Sequence, residues 1–257
     1  MRDKKGFSYG CFRAVRGFVR LIYPKTKIEN LDNLPDEPCV VVANHCQLNG
    51  PIIGELYFPE NKTIWCAGGL VHLKEAPDFI YNDFFKFKPQ RLKWLWRIAS
   101  YILAPLFPFF FSNADTIAVY HDGRILYTFR QTVDALAQGK RVVIFPESFE
   151  GYNNIVNRFH DGFADIGRMY YRRTGKPLAF VPMYIAPKLK SAYIEKPIYY
   201  DPTLPTREER ARICSYLTDT IVQKAVSLPR HKVVPHDNIS SKNYPYNIED
   251  REVIKNA

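Results

Sequence analysis

The 257-residue chain has no cysteine pair at disulfide or metal-ligand spacing. Its five cysteines, Cys11, Cys39, Cys46, Cys66 and Cys214, are scattered without a C-x-x-C. That excludes a disulfide framework and a familiar zinc site, and points to reduced thiols in a cytosolic compartment. There is no glycine-rich phosphate loop, no cluster of metal-ligating residues and no serine-hydrolase elbow, so no cofactor beyond a co-substrate is expected. A long clean apolar run is also missing. The most apolar stretch, residues 91–111, is uncharged only from Ile98 to Phe111 and is interrupted by Pro105 and Pro108. That run is short of the ~20 residues a spanning helix needs, so a buried or interfacial segment is expected. No signal peptide is expected either, because arginines interrupt the first apolar segment. Internal repeats and low-complexity linkers are absent.

What is present is positive charge and aromatic surface. Thirty-six basic residues against 26 acidic ones give a formal net charge of +10. An anionic partner follows. The 18 Phe and 17 Tyr suit a membrane interface better than a duplex groove. Nucleic acid is not expected as a partner, since neither a recognition motif nor a lysine-rich stripe appears. Residues 7–22 carry Phe7, Cys11, Phe12, Val15, Phe18, Val19 and Ile22 at helical spacing with Arg13, Arg16 and Arg20 between them. This is a basic amphipathic helix, suited to packing on the domain, to an anionic bilayer, or to both. Trp94 and Trp96 beside Lys93 and Arg97 resemble an interfacial anchor. The expected organisation is a membrane-surface helix over residues 1–24, one domain over 25–228, and a polar tail over 229–257 that wraps the surface without chemistry. The expected location is the cytoplasmic side of a membrane, peripheral or monotopic.

Strand and helix patterns alternate along the domain. Val40–Ala43 is a wholly apolar run that reads as a strand buried on both faces, and Gly50-Pro51 reads as a helix start. Residues 63–67, 116–120, 141–145, 178–185 and 191–197 read as further strands, Pro182 arguing for a bulge or an edge in the fourth. Helices are expected over 124–138, ended by Gly139, and over 159–174, ended by Gly175. Thr206 with Glu209 forms a capping-box pattern for a last helix with Ile213, Leu217, Ile221, Val222 and Val226 on its apolar face. The fold class is α/β, with one mixed sheet flanked by helices plus the N-terminal amphipathic helix.

Three strand ends carry polar groups in order: Asn44-His45, the His121–Arg124 turn, and Phe145-Pro146-Glu147-Ser148, with Val181-Pro182-Met183-Tyr184 following. This series resembles the four blocks of the phospholipid/glycerol acyltransferase family, over roughly residues 35–190. The resemblance implies a glycerol-3-phosphate acyltransferase-like sandwich. It also implies acyl transfer from acyl-CoA or acyl carrier protein to a hydroxyl of a lysophospholipid, glycerol phosphate or similar lipid. His45 would be the general base, and loop or helix-start amides would hold the oxyanion. Arg124, His121 and Arg158 would meet the acceptor's phosphate or head group, with Pro146, Glu147, Ser148 and Pro182 lining the same site.

The chain departs from the family pattern at informative positions. The motif Asp that orients the histidine would fall at position 50, where Gly50 stands. Asn49 is the nearest substitute, with Glu55 and Glu147 as alternatives that the fold could bring near. The third block's Arg is replaced by Glu150, which leaves the acceptor's head group open. A catalytically degenerate acyl-chain or acyl-CoA binding relative is the alternative reading. Cys46 beside His45 reads as a small buried residue, not a nucleophile.

Overall fold

A computed structural model describes residues 6–86, 88–120, 122–151 and 153–248. In chain order its main elements are α1 (Phe7–Ile22), β1 (Lys27–Glu29), β2 (Cys39–Ala43), α2 (Asn49–Leu56), β3 (Lys62–Ala67), α3 (Ala76–Ile80), α4 (Lys93–Leu103), α5 (Leu106–Asn113) and β4 (Thr116–Val119). Then come α6 (Ile125–Ala137), β5 (Arg141–Ile144), β6 (Glu147–Gly151), β7 (Asn157–Phe159), α7 (Asp165–Thr174), β8 (Ala179–Ala186), β9 (Ser191–Ile194), β10 (Ile198–Tyr199) and α8 (Thr206–Ser227). The fold is α/β, with a mostly parallel sheet flanked by helices, and the N-terminal helix is present. The chain forms two compact units, one of the described residues up to Pro24 with Trp65–Thr128, the other of Lys25–Ile64 with the residues from Phe129 onward.

The larger unit is built on β2. Its five residues are all buried, and it pairs in parallel with β8 on one side (Val41 opposite Val181) and β5 on the other (Val41 opposite Val143). The strand order there is β1-β9-β8-β2-β5-β3, with β10 also on β8. A strand flanked on both edges and covered on both faces must be apolar throughout, which is why Val40–Ala43 has no alternation. β8 is also interior, so Pro182 marks neither an edge nor a bulge there. It lies opposite Val42, and the strand on its other side is broken into β9 and β10 around residues 195–197, so a missing N–H is tolerated. On α8 the buried side chains are Ile213, Leu217, Ile221, Val222 and Ala225, while Val226 faces solvent. The capping box does not form. Pro205 occupies the N-cap, and the buried Glu209 carboxylate instead accepts the Asp201 N–H at 2.8 Å and pairs with Arg212 at 2.7 Å.

Two stretches differ from their sequence-based expectation. Residues 147–159 form an antiparallel hairpin, β6 with β7, where a polar loop running into a helix was expected. The tail beyond Pro229 is not a surface wrap. Val233, Val234, His231 and Asn247 are buried, and His231 Nδ1 donates to the Pro229 carbonyl (2.8 Å) while Nε2 accepts from the Tyr184 hydroxyl (2.8 Å).

In the smaller unit β4 lies beside β3, whose last residues belong there. Leu70, Ala76, Ile80 and Ala104 form its core, with Phe79 and Phe107 packed against them. Helix α1 rests on α5 through Phe12 and Phe110, ring centroids 6.3 Å apart, and buries only Phe12. Phe7, Phe18, Leu21 and Ile22 are exposed, as are Trp94, Ile98 and Ile102 of α4. Only the turn at Ala104-Pro105 separates α4 from α5. Together they give a segment, Lys93–Asn113, long and apolar enough to cross a membrane by length and composition, which the shorter uncharged run is not.

Candidate active site

The site begins where β2 stops. Asn44 continues the strand pairing with its side chain: Oδ1 accepts the Ile185 N–H (2.7 Å) and Nδ2 donates to the Ile185 carbonyl (3.0 Å). The backbone is thereby released from the sheet at His45 and turns sharply. Cys46 and Gln47 both adopt left-handed conformations, φ 51° and 56°. Such geometry costs roughly 1–2 kcal/mol per non-glycine residue and needs support from around it. Cys46 Sγ provides some, accepting from Asn44 Nδ2 (2.9 Å) and donating to the Ile185 carbonyl (3.3 Å). Gln47 provides more. Its amide donates to the Asp237 carbonyl (2.9 Å) and accepts the Tyr244 hydroxyl (3.0 Å), tying the loop to the C-terminal segment. The turn closes with the Gly50 N–H on the His45 carbonyl (3.0 Å), and α2 starts at Asn49, slightly before Gly50-Pro51.

Gly50 explains the absent aspartate. A Cβ placed there would sit 2.3 Å from the His45 carbonyl oxygen and 2.9 Å from Cε1 of Phe145. No side chain fits at that position while the turn keeps this shape. Asn49 does not take over the missing role. Its amide donates to the Cys46 carbonyl (3.0 Å), and His45 Nδ1 is buried without a hydrogen-bond partner.

Glu147 comes from the start of β6 and is buried against the same loop. Its carboxylate accepts two backbone N–H groups, from His45 (2.6 Å) and from Asn157 (2.7 Å). It therefore braces the backbone at His45 and the hairpin, and makes no bond to the imidazole. Burial pushes its pKa up to about 7, against the two N–H donors, with Asp237 adding to the rise. Burial first, and neighbouring His236 second, push His45 down to about 4, although the carbonyls of Gln47 and His45 favour the protonated ring. At neutral pH the imidazole is uncharged and able to accept a proton. Cys46 is held as an inert thiol, its pKa raised well above the ordinary value by burial and by Glu147.

The remaining sequence-derived residues are distributed unevenly. Pro146 is buried next to Glu147, its carbonyl accepting the His160 N–H (2.9 Å). Ser148 is buried too; its hydroxyl accepts the Glu150 N–H (3.1 Å). Arg158 projects to solvent from β7 and pairs with Glu150 at 3.6 Å, so the acidic residue in place of the third-block Arg has a cationic neighbour. Arg124 belongs to the smaller unit. Its guanidinium makes paired hydrogen bonds to Asp122 (3.0 and 2.8 Å), lies 3.8 Å from Glu75 and covers the Tyr120 ring at 4.0 Å. His121 lies outside the described residues.

No model of a known protein family matches the sequence, and no curated protein matches it. The chain is similar to the crystal structure of the 1-acyl-sn-glycerophosphate (LPA) acyltransferase, PlsC, from Thermotoga maritima. Identity is 15%, the match covers 87% of this chain and 84% of that one, and the TM-score is 0.46.

Sequence reasoning missed the residues that surround His45 from a distance. The His236 ring lies 4.9 Å from the His45 ring, nearly perpendicular to it, and Phe149 of the hairpin lies 5.0 Å from His236. Phe145 packs edge-on at 5.4 Å. Phe145 was visible in the third block. A single histidine in a polar tail offered no signal.

Proposed function

We propose that the protein transfers a fatty acyl group from a thioester, acyl-CoA or acyl carrier protein, to a hydroxyl of a lysophospholipid or similar lipid acceptor at a membrane surface. The observation that carries this reading is His45. It is a neutral imidazole at the carboxyl end of the central parallel strand, where open α/β sheets bind ligands, on a loop whose backbone is braced by buried Glu147. In the proposed step Nε2 takes the acceptor's hydroxyl proton as its oxygen bonds to the thioester carbon. The resulting oxyanion collapses, expelling the thiolate, which recovers the proton from the imidazolium. The N–H groups of Cys46, Gln47 and Leu48 make no hydrogen bond to other described residues, which suits them to the oxyanion. The exposed apolar residues of α1 and α4, with arginines beside them, support anchoring to anionic lipid, and unpaired thiols favour the cytoplasmic face.

A second reading has its own observation. His45 Nδ1 lacks the carboxylate that would support an imidazolium, which fits a degenerate relative that binds acyl chains without turnover. The experiment that separates them is thiol release from palmitoyl-CoA by purified protein on anionic vesicles, with a panel of lysolipids and glycerol phosphate. Acceptor-dependent release lost in His45→Ala supports the enzyme. Acyl-CoA binding without release from any acceptor supports the binding protein.

A further inference from the structure

We propose that His236, delivered by the C-terminal segment, is the positioning residue of His45, an imidazole in the role that the sequence resemblance gives to an aspartate at position 50. The proposal deepens the acyl-transfer reading and rests on it for its purpose.

Three observations carry it. The first is steric: Gly50 admits no side chain and the Asn49 amide is turned to the Cys46 carbonyl, so neither residue at the α2 start supplies His45 Nδ1 with a partner. The second is a shared vacancy of partners. His45 Nδ1 and His236 Nδ1 are both buried, and neither has a hydrogen-bond partner. Two unpaired, buried nitrogens in neighbouring half-buried rings are costly unless each serves the other. The ring centroids are 4.9 Å apart, a separation that allows a hydrogen bond when two ring nitrogens face each other. The third is the clamp. Gln47, next-but-one to His45, holds the Asp237 carbonyl directly after His236, so the strained loop and the C-terminal segment are fixed against each other. The exposed Phe149 ring lies 5.0 Å from the His236 ring.

The chemistry follows from the tautomers. When His45 carries its proton on Nδ1, neutral His236 accepts that N–H and leaves Nε2 with its lone pair toward the acceptor hydroxyl. As Nε2 gains the hydroxyl proton, the His45 charge is shared with His236 through the same hydrogen bond. An imidazole is a weaker stabiliser than a carboxylate, since it brings no negative charge. The other titratable groups facing the pair are Glu147, Asp237 and His160.

The test uses the full chain, with ring-nitrogen NMR of His45 across pH and thiol release measured in parallel. His236→Phe keeps an aromatic ring against Phe149 and removes both nitrogens; His236→Asn keeps a polar group near the position of Nδ1. In the wild type His45 should show one dominant tautomer, and the two histidines should titrate as a coupled pair. In His236→Phe the tautomer preference should be lost and His45 should titrate alone. kcat should fall at least tenfold with KM unchanged, and His236→Asn should recover part of it. Identical His45 spectra and titration in the wild type and His236→Phe would overturn the pairing, whatever the turnover. Coupled titration in a protein that releases no thiol would uphold the pairing and defeat the acyl-transfer reading instead.

Discussion

Replacing Glu147 by Gln is a sharp test of how the site is held together. The two Glu147 oxygens accept two backbone N–H groups, His45 at 2.6 Å and Asn157 at 2.7 Å, and in the protonated acid the hydroxyl oxygen still accepts with its hydrogen turned away. Gln keeps one oxygen and aims an amide NH2 at the other N–H. Losing one acceptor and burying a donor against a donor costs about 2–4 kcal/mol. The cost depends on pH. Glu147 titrates near 7 in the fold against 4.5 when unfolded, so its contribution is fully present below pH 4.5 and is lost as pH rises through 7. At about 1.4 kcal/mol per unit the loss is about 3 kcal/mol, so the two proteins should converge at pH 8. His45, shifted down to about 4, does the opposite: its stabilisation is present above 6.5 and is lost as pH falls through 4. In the wild type these slopes oppose each other between pH 4.5 and 6.5. In Glu147→Gln only the His45 slope is left, so stability should climb by about 2 kcal/mol across that range. Urea unfolding followed by circular dichroism at half-unit steps from pH 4.5 to 8 measures both effects. Parallel stability curves for the two proteins would refute the assignment of Glu147 as a buried, titrating brace.

Gly50→Asp, which places an aspartate where the sequence resemblance calls for one, should destabilise the chain by roughly 2 kcal/mol or more and lower any turnover, because its Cβ would meet the His45 carbonyl at 2.3 Å; a gain in kcat would contradict this. Cys46→Ala should keep turnover within about threefold, and native Cys46 should resist iodoacetamide until the protein unfolds, as a buried thiol does. Phe18→Ser with Leu21→Ser, both exposed on α1, should weaken binding to anionic vesicles at least tenfold, on the scale of one or two lost apolar anchors, without changing the melting temperature. Sedimentation with vesicles reads the first and calorimetry the second.

The strands were legible where burial on both faces removes all polar positions. Val40–Ala43 and Arg141–Ile144 announce themselves because β2 and β5 are interior neighbours. Helix α6 was legible for a local reason, with Gly139 at φ 84° ending it. The β6–β7 hairpin was not, because it turns Phe149, Glu150 and Arg158 to solvent and so carries no apolar alternation. The capping-box pattern at Thr206 misled because Arg212 and the Asp201 N–H compete successfully for Glu209. At the site, the placing of His45 and Glu147 just after strand ends was legible, and Glu147 holds backbone N–H groups where an arginine or the acceptor was expected. The orienting role given to Asn49 was not met, since one residue of displacement leaves its amide on the Cys46 carbonyl. His236 was invisible for a general reason. Nothing local in a polar tail reveals that Gln47, Tyr244 and buried Val233 and Val234 pin it beside the central strand.

The most direct measurement of the central claim is mass spectrometry of the lipid products. Wild type and His45→Ala would be incubated with isotopically labelled palmitoyl-CoA and a lysophospholipid in anionic vesicles. The account predicts labelled acyl chain in ester linkage on the acceptor for the wild type and none above background for His45→Ala. Equal labelled product from both proteins would contradict His45 as the base, and labelled free fatty acid with no acylated lipid would contradict transfer itself.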